Sequence, residues 1–186
     1  MKRIFALLCL LALIFTGCAG TDSGMERAMA LRAKLLASAS AFDAVVTADY
    51  GDKTCTFTMQ CSIDKKGKLT FSVTEPESIS GISGIVSSEG GKLTFDDQAL
   101  SFPLLAEDQV TPVSAPWVLF RSLRAGYLTS CGMESGKLRL AIDDSYEKNA
   151  LHLEVWLSSD DIPQRCEIYW QGRRLLSIDV KNFTFL

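Results

Sequence analysis

Few side chains in this sequence are arranged for catalysis. His152 is the only histidine, and it lies on the polar side of an alternating segment, so we expect a solvated strand histidine and not a general base. Three acidic pairs each follow an alternating segment, which is typical of turns and not of a carboxylate or calcium site. These pairs are Asp96-Asp97, Asp143-Asp144 and Asp160-Asp161. The sequence contains no G-x-S-x-G, Walker or H-E-x-x-H motif. We predict that the chain is not an enzyme and holds no metal or other cofactor.

The cysteines leave two alternatives open. Cys55 and Cys61 are six residues apart on one predicted strand, which separates their Cα atoms by ~20 Å, beyond the ~4.4–6.8 Å of a disulfide. Either of them could pair with Cys131 or Cys166 across a sheet, and an exported compartment permits such a bond. The alternative is that these cysteines are buried thiols that pack as small hydrophobic residues. The spacings contain no C-x-x-C and do not indicate a zinc site.

The first 17 residues have the organisation of a secretory signal peptide. Lys2 and Arg3 precede an uncharged apolar segment of 12 residues, Ile4 to Phe15, and small residues follow. A helix of that length reaches only ~18 Å, which is too short for the ~30 Å hydrocarbon core of a bilayer. A transmembrane anchor is therefore not expected.

Phe15-Thr16-Gly17-Cys18 resembles the lipobox of bacterial lipoproteins, although that motif usually has Leu where Phe15 stands. The resemblance implies that Cys18 receives acyl chains and becomes the first residue of the mature protein. Residues 18–22 would then be the lipidated cysteine and a short tether, on the extracytoplasmic face of the cell membrane. The alternative is an ordinary secretory signal that is cut nearby, with Cys18 removed or left as a free thiol.

Residues 23–186 are expected to form a single domain, because no linker or internal repeat divides them. Loss of Lys2 and Arg3 with the signal takes the formal charge from −3 to −5. This acidic balance argues against a nucleic-acid partner.

Two helices are predicted. Ser23 to Glu26 has the form of a capping box, and the residues that follow predict an amphipathic helix of about four turns. Its apolar positions are Met25, Ala28, Met29, Leu35, Leu36 and Ala39. A second helix is predicted over Ser114–Leu123, where Ser114 can cap the first turn and Pro116 suits it.

Apolar residues alternate with polar ones through much of the chain, which predicts strands with one dry face. Two such segments, 55–63 and 69–73, flank a turn and predict a hairpin. The pattern returns over 138–142, 151–157, 166–170 and 176–180. A covered parallel sheet would show continuous apolar runs instead. The fold class is therefore α+β, with a large antiparallel sheet whose dry face the two helices cover.

Three segments carry a family resemblance: residues 69–82, 91–104 and 162–185. Together with the N-terminal and mid-chain helices, they resemble the superfamily of the lipoprotein carriers LolA and LolB. The resemblance implies a curved half-barrel in which helices cover an apolar concave face that takes acyl chains. Permanent anchorage suits LolB-like, sensor-like or germination-lipoprotein relatives better than the soluble carrier.

Aromatic and methionine side chains at dry positions are the candidate ligand surface, and a solid core would need the same residues. They are Met25, Met29, Phe57, Met59, Phe71, Trp117, Phe120 and Trp170. The family resemblance implies a lipoprotein that binds a lipid or an acylated lipoprotein segment non-catalytically. The alternative is a cell-envelope interaction protein that holds or activates a partner enzyme.

Overall fold

The computed structural model describes residues 19–94 and 110–186, with side chains from residue 23 onward. The predicted signal peptide, Cys18, the Asp96-Asp97 pair and the end of segment 91–104 lie outside the described residues. Within the described ranges, no helix is both long enough and apolar enough to span a bilayer.

Two α-helices and ten strands make up the described chain. The helices are α1 (Ala19–Ala37) and α2 (Ala115–Ala125). The strands are β1 (Ser40–Asp49), β2 (Thr54–Ile63), β3 (Leu69–Glu75), β4 (Ser83–Ser87), β5 (Gly90–Thr94), β6 (Tyr127–Glu134), β7 (Lys137–Asp143), β8 (His152–Leu157), β9 (Pro163–Trp170) and β10 (Arg173–Phe185). Short 3-10 helices cover Glu77–Ile79 and Pro112–Ser114.

The strands form one antiparallel sheet in the order β5-β4-β3-β2-β1-β10-β9-β8-β7-β6. Its two meanders, β1 to β5 and β6 to β10, join where β1 pairs with β10. The sheet is open and curved, with β5 and β6 at its edges. The predicted α+β class and the hairpin of β2 with β3 are confirmed, and Cys61 pairs with Phe71 in that hairpin.

Helix α1 differs from the sequence prediction in its start and in its buried face. It begins at Ala19, so Ser23 lies inside the helix and does not cap it. Gly24, Ala28, Leu31 and Leu35 are buried, while Met25, Met29 and Leu36 are exposed. Gly24 explains why this face of α1 is the buried one, because its lack of a side chain lets the helix approach β6. A Cβ at Gly24 would lie only 3.3 Å from the Cys131 Sγ on β6.

Helix α2 is buried on nearly all sides between the sheet and α1. Thr111 and Ser114 form a reciprocal capping box around the 3-10 turn that precedes it, so Ser114 serves that turn and makes no side-chain cap on α2. At the other end, the Arg32 guanidinium of α1 donates to the carbonyls of Leu123 and Gly126 at 2.9 and 2.8 Å. These carbonyls have no partner within the helix, so α1 satisfies the C-terminus of α2.

The centre of the concave face is filled by side chains. Phe120 of α2 stacks on Phe42 of β1 with ring centroids 4.6 Å apart, and Phe183 of β10 lies 5.9 Å from Phe120. Phe120 is 0% exposed and Phe42 is 3% exposed. This stack fastens α2 to the sheet where its two meanders join. Within residues 19–94 and 110–186, this core extends from Ala28 to Val180.

Phe120→Ala is expected to lower the free energy of unfolding by about 3–5 kcal/mol, because it leaves a cavity between α2 and the β1–β10 junction. Urea unfolding followed by circular dichroism measures the change. Leu186→Ala is the control, since Leu186 is 69% exposed, and it should cost less than ~1 kcal/mol. Equal losses in the two variants would contradict a filled centre.

Candidate functional site

An apolar cleft of about 380 Å³ opens between α2 and the β4–β5 hairpin. We call it the apolar cleft, and its apolar lining is Val86, Leu93, Val110, Val113, Trp117 and Val118. The volume is within the range of about 300–1,000 Å³ that is usual for small-molecule sites. Because the centre of the sheet is filled, this space lies toward the β5 edge of the sheet and not at its centre.

Trp117 is half-buried at the border of the apolar cleft. Its indole N–H donates to the Gly67 carbonyl in the β2–β3 turn at 3.0 Å. Gly67 has φ +84°, a backbone conformation that favours glycine in such a turn. The Arg121 guanidinium lies 4.8 Å from the centre of the Trp117 ring, which adds a cation–π contact. Helix α2 and the β2–β3 turn are therefore held together beside the cleft.

Two further clefts adjoin the apolar one, and we call them the polar clefts because charged side chains line them. The first, of about 580 Å³, lies between the β2–β3 turn and the β4–β5 hairpin, and the second, of about 380 Å³, lies between that turn, α2 and Leu36 at the end of α1. We call their basic side chains the basic rim, and they are Lys65, Lys66, Lys68, Lys92, Arg121 and Arg124. The acidic residues that line the two clefts are Asp64 and Glu89.

Arg124 of α2 connects the basic rim to the core by hydrogen bonds to the β2–β3 turn. It is 8% exposed, and its guanidinium donates to the carbonyl of Asp64 at 2.9 Å and to the carbonyl of Lys65. Burial lowers the pKa of Arg124, and the nearby Asp64 carboxylate partly offsets this effect. The hydrogen bonds of Arg124 and Trp117 fix the backbone of the β2–β3 turn, so the positions from which its lysines project are set.

The structure does not gather the predicted ligand residues at one surface. Phe57, Met59, Phe71 and Phe120 are at most 2% exposed and pack in the core. Among the eight predicted residues, only Trp117 lines the apolar cleft or one of its two polar neighbours.

The other three predicted ligand residues lie elsewhere. Met25 and Met29 are about 40% exposed on the outer side of α1. Trp170 is half-buried on β9, and its indole nitrogen finds no hydrogen-bond partner in the part of the chain that the structure describes.

No disulfide joins any two of the four described cysteines. Cys55 and Cys61 are on β2, which β1 and β10 separate from Cys166 on β9, and Cys131 is on the far edge strand β6. At about 4.8 Å per strand, β2 and β9 are about 14 Å apart along the sheet, which is too far for a disulfide, so the buried-thiol alternative fits Cys61 and Cys166. Burial raises the pKa of both Cys61 and Cys166, which keeps them protonated.

Charged residues form a network on the outer face of β7 to β10. Glu167 accepts hydrogen bonds from Arg165, Tyr169 and Arg174, and although burial raises the pKa of Glu167, these bonds outweigh burial and lower it. The bond to Glu167 and burial raise the pKa of Tyr169 to about 12. Within residues 19–94 and 110–186, no three His, Cys, Asp or Glu side chains are grouped as metal ligands.

His152 belongs to this network and is paired, although the sequence predicted a solvated residue. Its Nδ1 lies 2.7 Å from an Asp143 oxygen, and its Nε2 lies 3.2 Å from a Glu154 oxygen. Arg139 also pairs with Glu154. Asp143 is the last residue of β7 and only Asp144 follows the strand. Both contact side chains, since Asp143 lies against His152 and Asp144 pairs with Arg121 at 2.5 Å.

No family model matches the sequence, and no curated protein matches it. Similar solved structures include an uncharacterized conserved protein from Thermus thermophilus, with 11% identity, 87% of each chain covered and a TM-score of 0.48. A LolA superfamily protein from Nitrosomonas europaea has 9% identity over 86% of this chain and 93% of that one, with a TM-score of 0.45. A putative outer membrane lipoprotein-sorting protein domain from Vibrio parahaemolyticus has 11% identity over 88% of this chain and 92% of that one, with a TM-score of 0.46. The similarity to each of these structures extends over most of this chain.

The pairing of His152 predicts a pH dependence. Burial lowers the pKa of His152, but the hydrogen bonds to Asp143 and Glu154 outweigh it and raise the pKa above its ordinary value of 6.5. A raised folded-state pKa gives stability that is complete below the unfolded pKa and is lost as pH rises through the folded pKa. His152→Gln should therefore lower the free energy of unfolding more at about pH 5.5 than at about pH 9.

NMR titration of the single imidazole checks this prediction directly, and its midpoint should lie above 6.5 in the folded protein. Asp143→Asn removes one partner and should lower the midpoint. A midpoint that is the same in both proteins would contradict the pairing.

Proposed function

We propose that this chain is a non-catalytic binding protein of the cell envelope that holds an acyl chain, from a lipid or an acylated lipoprotein segment, in the apolar cleft. The observation that carries the proposal is an apolar space of about 380 Å³ between α2 and the β4–β5 hairpin, beside a core that is already filled. An acyl chain fits a site whose lining includes five aliphatic side chains and one half-buried indole, and no charged group.

The hydrophobic gain defines what such a ligand must be. Ten buried methylene groups contribute about 8 kcal/mol, and association costs about 4–15 kcal/mol. A bare acyl chain is therefore bound weakly. Tight binding needs a second contact beside the apolar cleft.

Attachment to a membrane through acyl chains on Cys18 is part of the proposal, and the lipobox-like residues before Cys18 support it. Since α1 begins at Ala19, no extended segment separates it from that residue. The proposed single domain, residues 23–186, would then work close to the extracytoplasmic face of the membrane.

Leu93→Asp is expected to abolish retention of the ligand, because Leu93 lines the apolar cleft and is half-buried at the edge strand β5. The measurement is native mass spectrometry of residues 19–186 before and after organic extraction, and again after addition of phospholipid or acylated peptide. Wild type should carry a mass that extraction removes and that the added compound restores.

Leu128→Asp is the matched control for this experiment. Leu128 is also half-buried, but it lies on β6 at the opposite edge of the sheet and outside the apolar cleft. It should retain the ligand as wild type does. A wild-type protein that is folded, empty and indifferent to added lipid and acylated peptide would overturn the proposal.

Cys18→Ala is expected to release the protein from membranes, since it removes the atom that would carry the acyl chains. Metabolic labelling with radioactive palmitate and detergent phase partitioning measure the change. Wild type should be labelled and should enter the detergent phase, whereas the variant should do neither. Labelling that persists in the variant would contradict an anchor at Cys18.

A second candidate function is that of an interaction protein that holds or activates an envelope enzyme. The filled core favours it, as do the exposed apolar residues on the outer side of α1, where Leu36 is 51% exposed and Met25 and Met29 are about 40% exposed. Flexible thioethers adapt well to protein partners. An empty protein in the mass-spectrometric experiment favours this second function over lipid binding.

A further inference from the structure

We infer that the site selects lipids with an anionic headgroup, such as phosphatidylglycerol, with the acyl chain in the apolar cleft and the phosphate on the basic rim. This inference rests on the proposed function and names its ligand class. Its basis is that the apolar cleft adjoins the two polar clefts, which carry the basic rim, on one face of the molecule.

The charge of this face is opposite to that of the protein. The chain has a formal charge of −3, yet six basic and two acidic residues line the two polar clefts. An anion is therefore attracted to this face even though the whole protein would repel it.

The lysines of the rim are available to a ligand. Lys65, Lys66, Lys68 and Lys92 are exposed, and none of them forms an ion pair with another residue in the described ranges. The Asp64 carboxylate is the nearest acidic group in sequence. Its Oδ1 accepts the backbone N–H groups of Lys66 and Lys68 at 2.8 and 2.9 Å, so the turn itself uses this carboxylate.

The apolar and basic parts are continuous. The apolar cleft shares Ser87, Gly90 and Gly91 with the first polar cleft and Trp117 with the second. A headgroup joined to an acyl chain would thus meet lysine ammonium groups directly outside the aliphatic lining. The β2–β3 turn is already fixed by Arg124 and Trp117, so little backbone ordering is needed when the ligand binds.

Three soluble probes separate the contribution of the headgroup charge to binding from that of the acyl chain. They are lysophosphatidylglycerol, lysophosphatidylcholine with the same acyl chain, and glycerol phosphate, each titrated calorimetrically into residues 19–186 below the micelle concentration. We expect the anionic lysolipid to bind at least about tenfold more tightly than the zwitterionic one at low salt, and the difference to shrink in high salt.

The triple variant Lys65→Gln, Lys66→Gln, Lys92→Gln is expected to lose this preference while it keeps the weaker affinity for lysophosphatidylcholine. The control is Lys53→Gln, Lys148→Gln, Lys181→Gln, which removes the same charge from exposed lysines that do not line the three clefts. The control should bind both lysolipids as wild type does. Urea unfolding midpoints should be equal in the two triple variants.

Each alternative outcome overturns the inference in a different way. Equal binding of the two lysolipids by wild type overturns the headgroup selection and leaves the proposed function standing. Equal loss of selectivity in the two triple variants overturns the assignment to the rim. Binding of glycerol phosphate as tight as that of lysophosphatidylglycerol identifies an anion site that does not use the acyl chain. Binding of none of the probes overturns both the inference and lysolipid binding by the apolar cleft.

Discussion

The stacking of Phe120 on Phe42 and Phe183 is the contact on which the rest of the molecule depends. It joins α2 to β1 and β10, the strands through which the two meanders of the sheet meet. Two consecutive meanders in one curved sheet leave a concave face that must be covered, and α2 covers its centre with side chains buried on almost every side. Because the centre is filled in this way, the space left for an apolar ligand is displaced toward the β5 edge.

The same helix connects the core to the surface. Through Trp117 and Arg124, α2 holds the β2–β3 turn, and that turn carries three of the four lysines of the basic rim. Helix α1 in turn satisfies the last carbonyls of α2 through Arg32. Helix α2 therefore determines three features: the packing of the core, the border of the apolar cleft and the positions of the lysines in the basic rim. A substitution that moves α2 would change all three of these features.

Strong alternation predicted β2, β3 and most of β7 to β10 from the sequence, since their inward residues are large and apolar. Strand β1 was missed because Ala44 and Ala48 occupy inward positions and give little contrast with their polar neighbours. Strand β6 was missed because most of its residues are exposed at the sheet edge, so no dry face marks it. No pattern in the sequence predicted the basic rim either. Its residues come from the β2–β3 turn, β5 and α2, and only the antiparallel order of the strands brings these segments together.

Photolabelling shows most directly where an acyl chain is held. A fatty acyl probe with a diazirine near the end of its chain would be bound to residues 19–186, irradiated, and located by peptide mapping. Binding in the apolar cleft predicts label on residues 86–93 and 110–118, on either side of that cleft. Label concentrated on the core strands around Phe42, Phe57 and Phe71 would contradict it, because the acyl chain would then lie beneath the helices in a centre that opens.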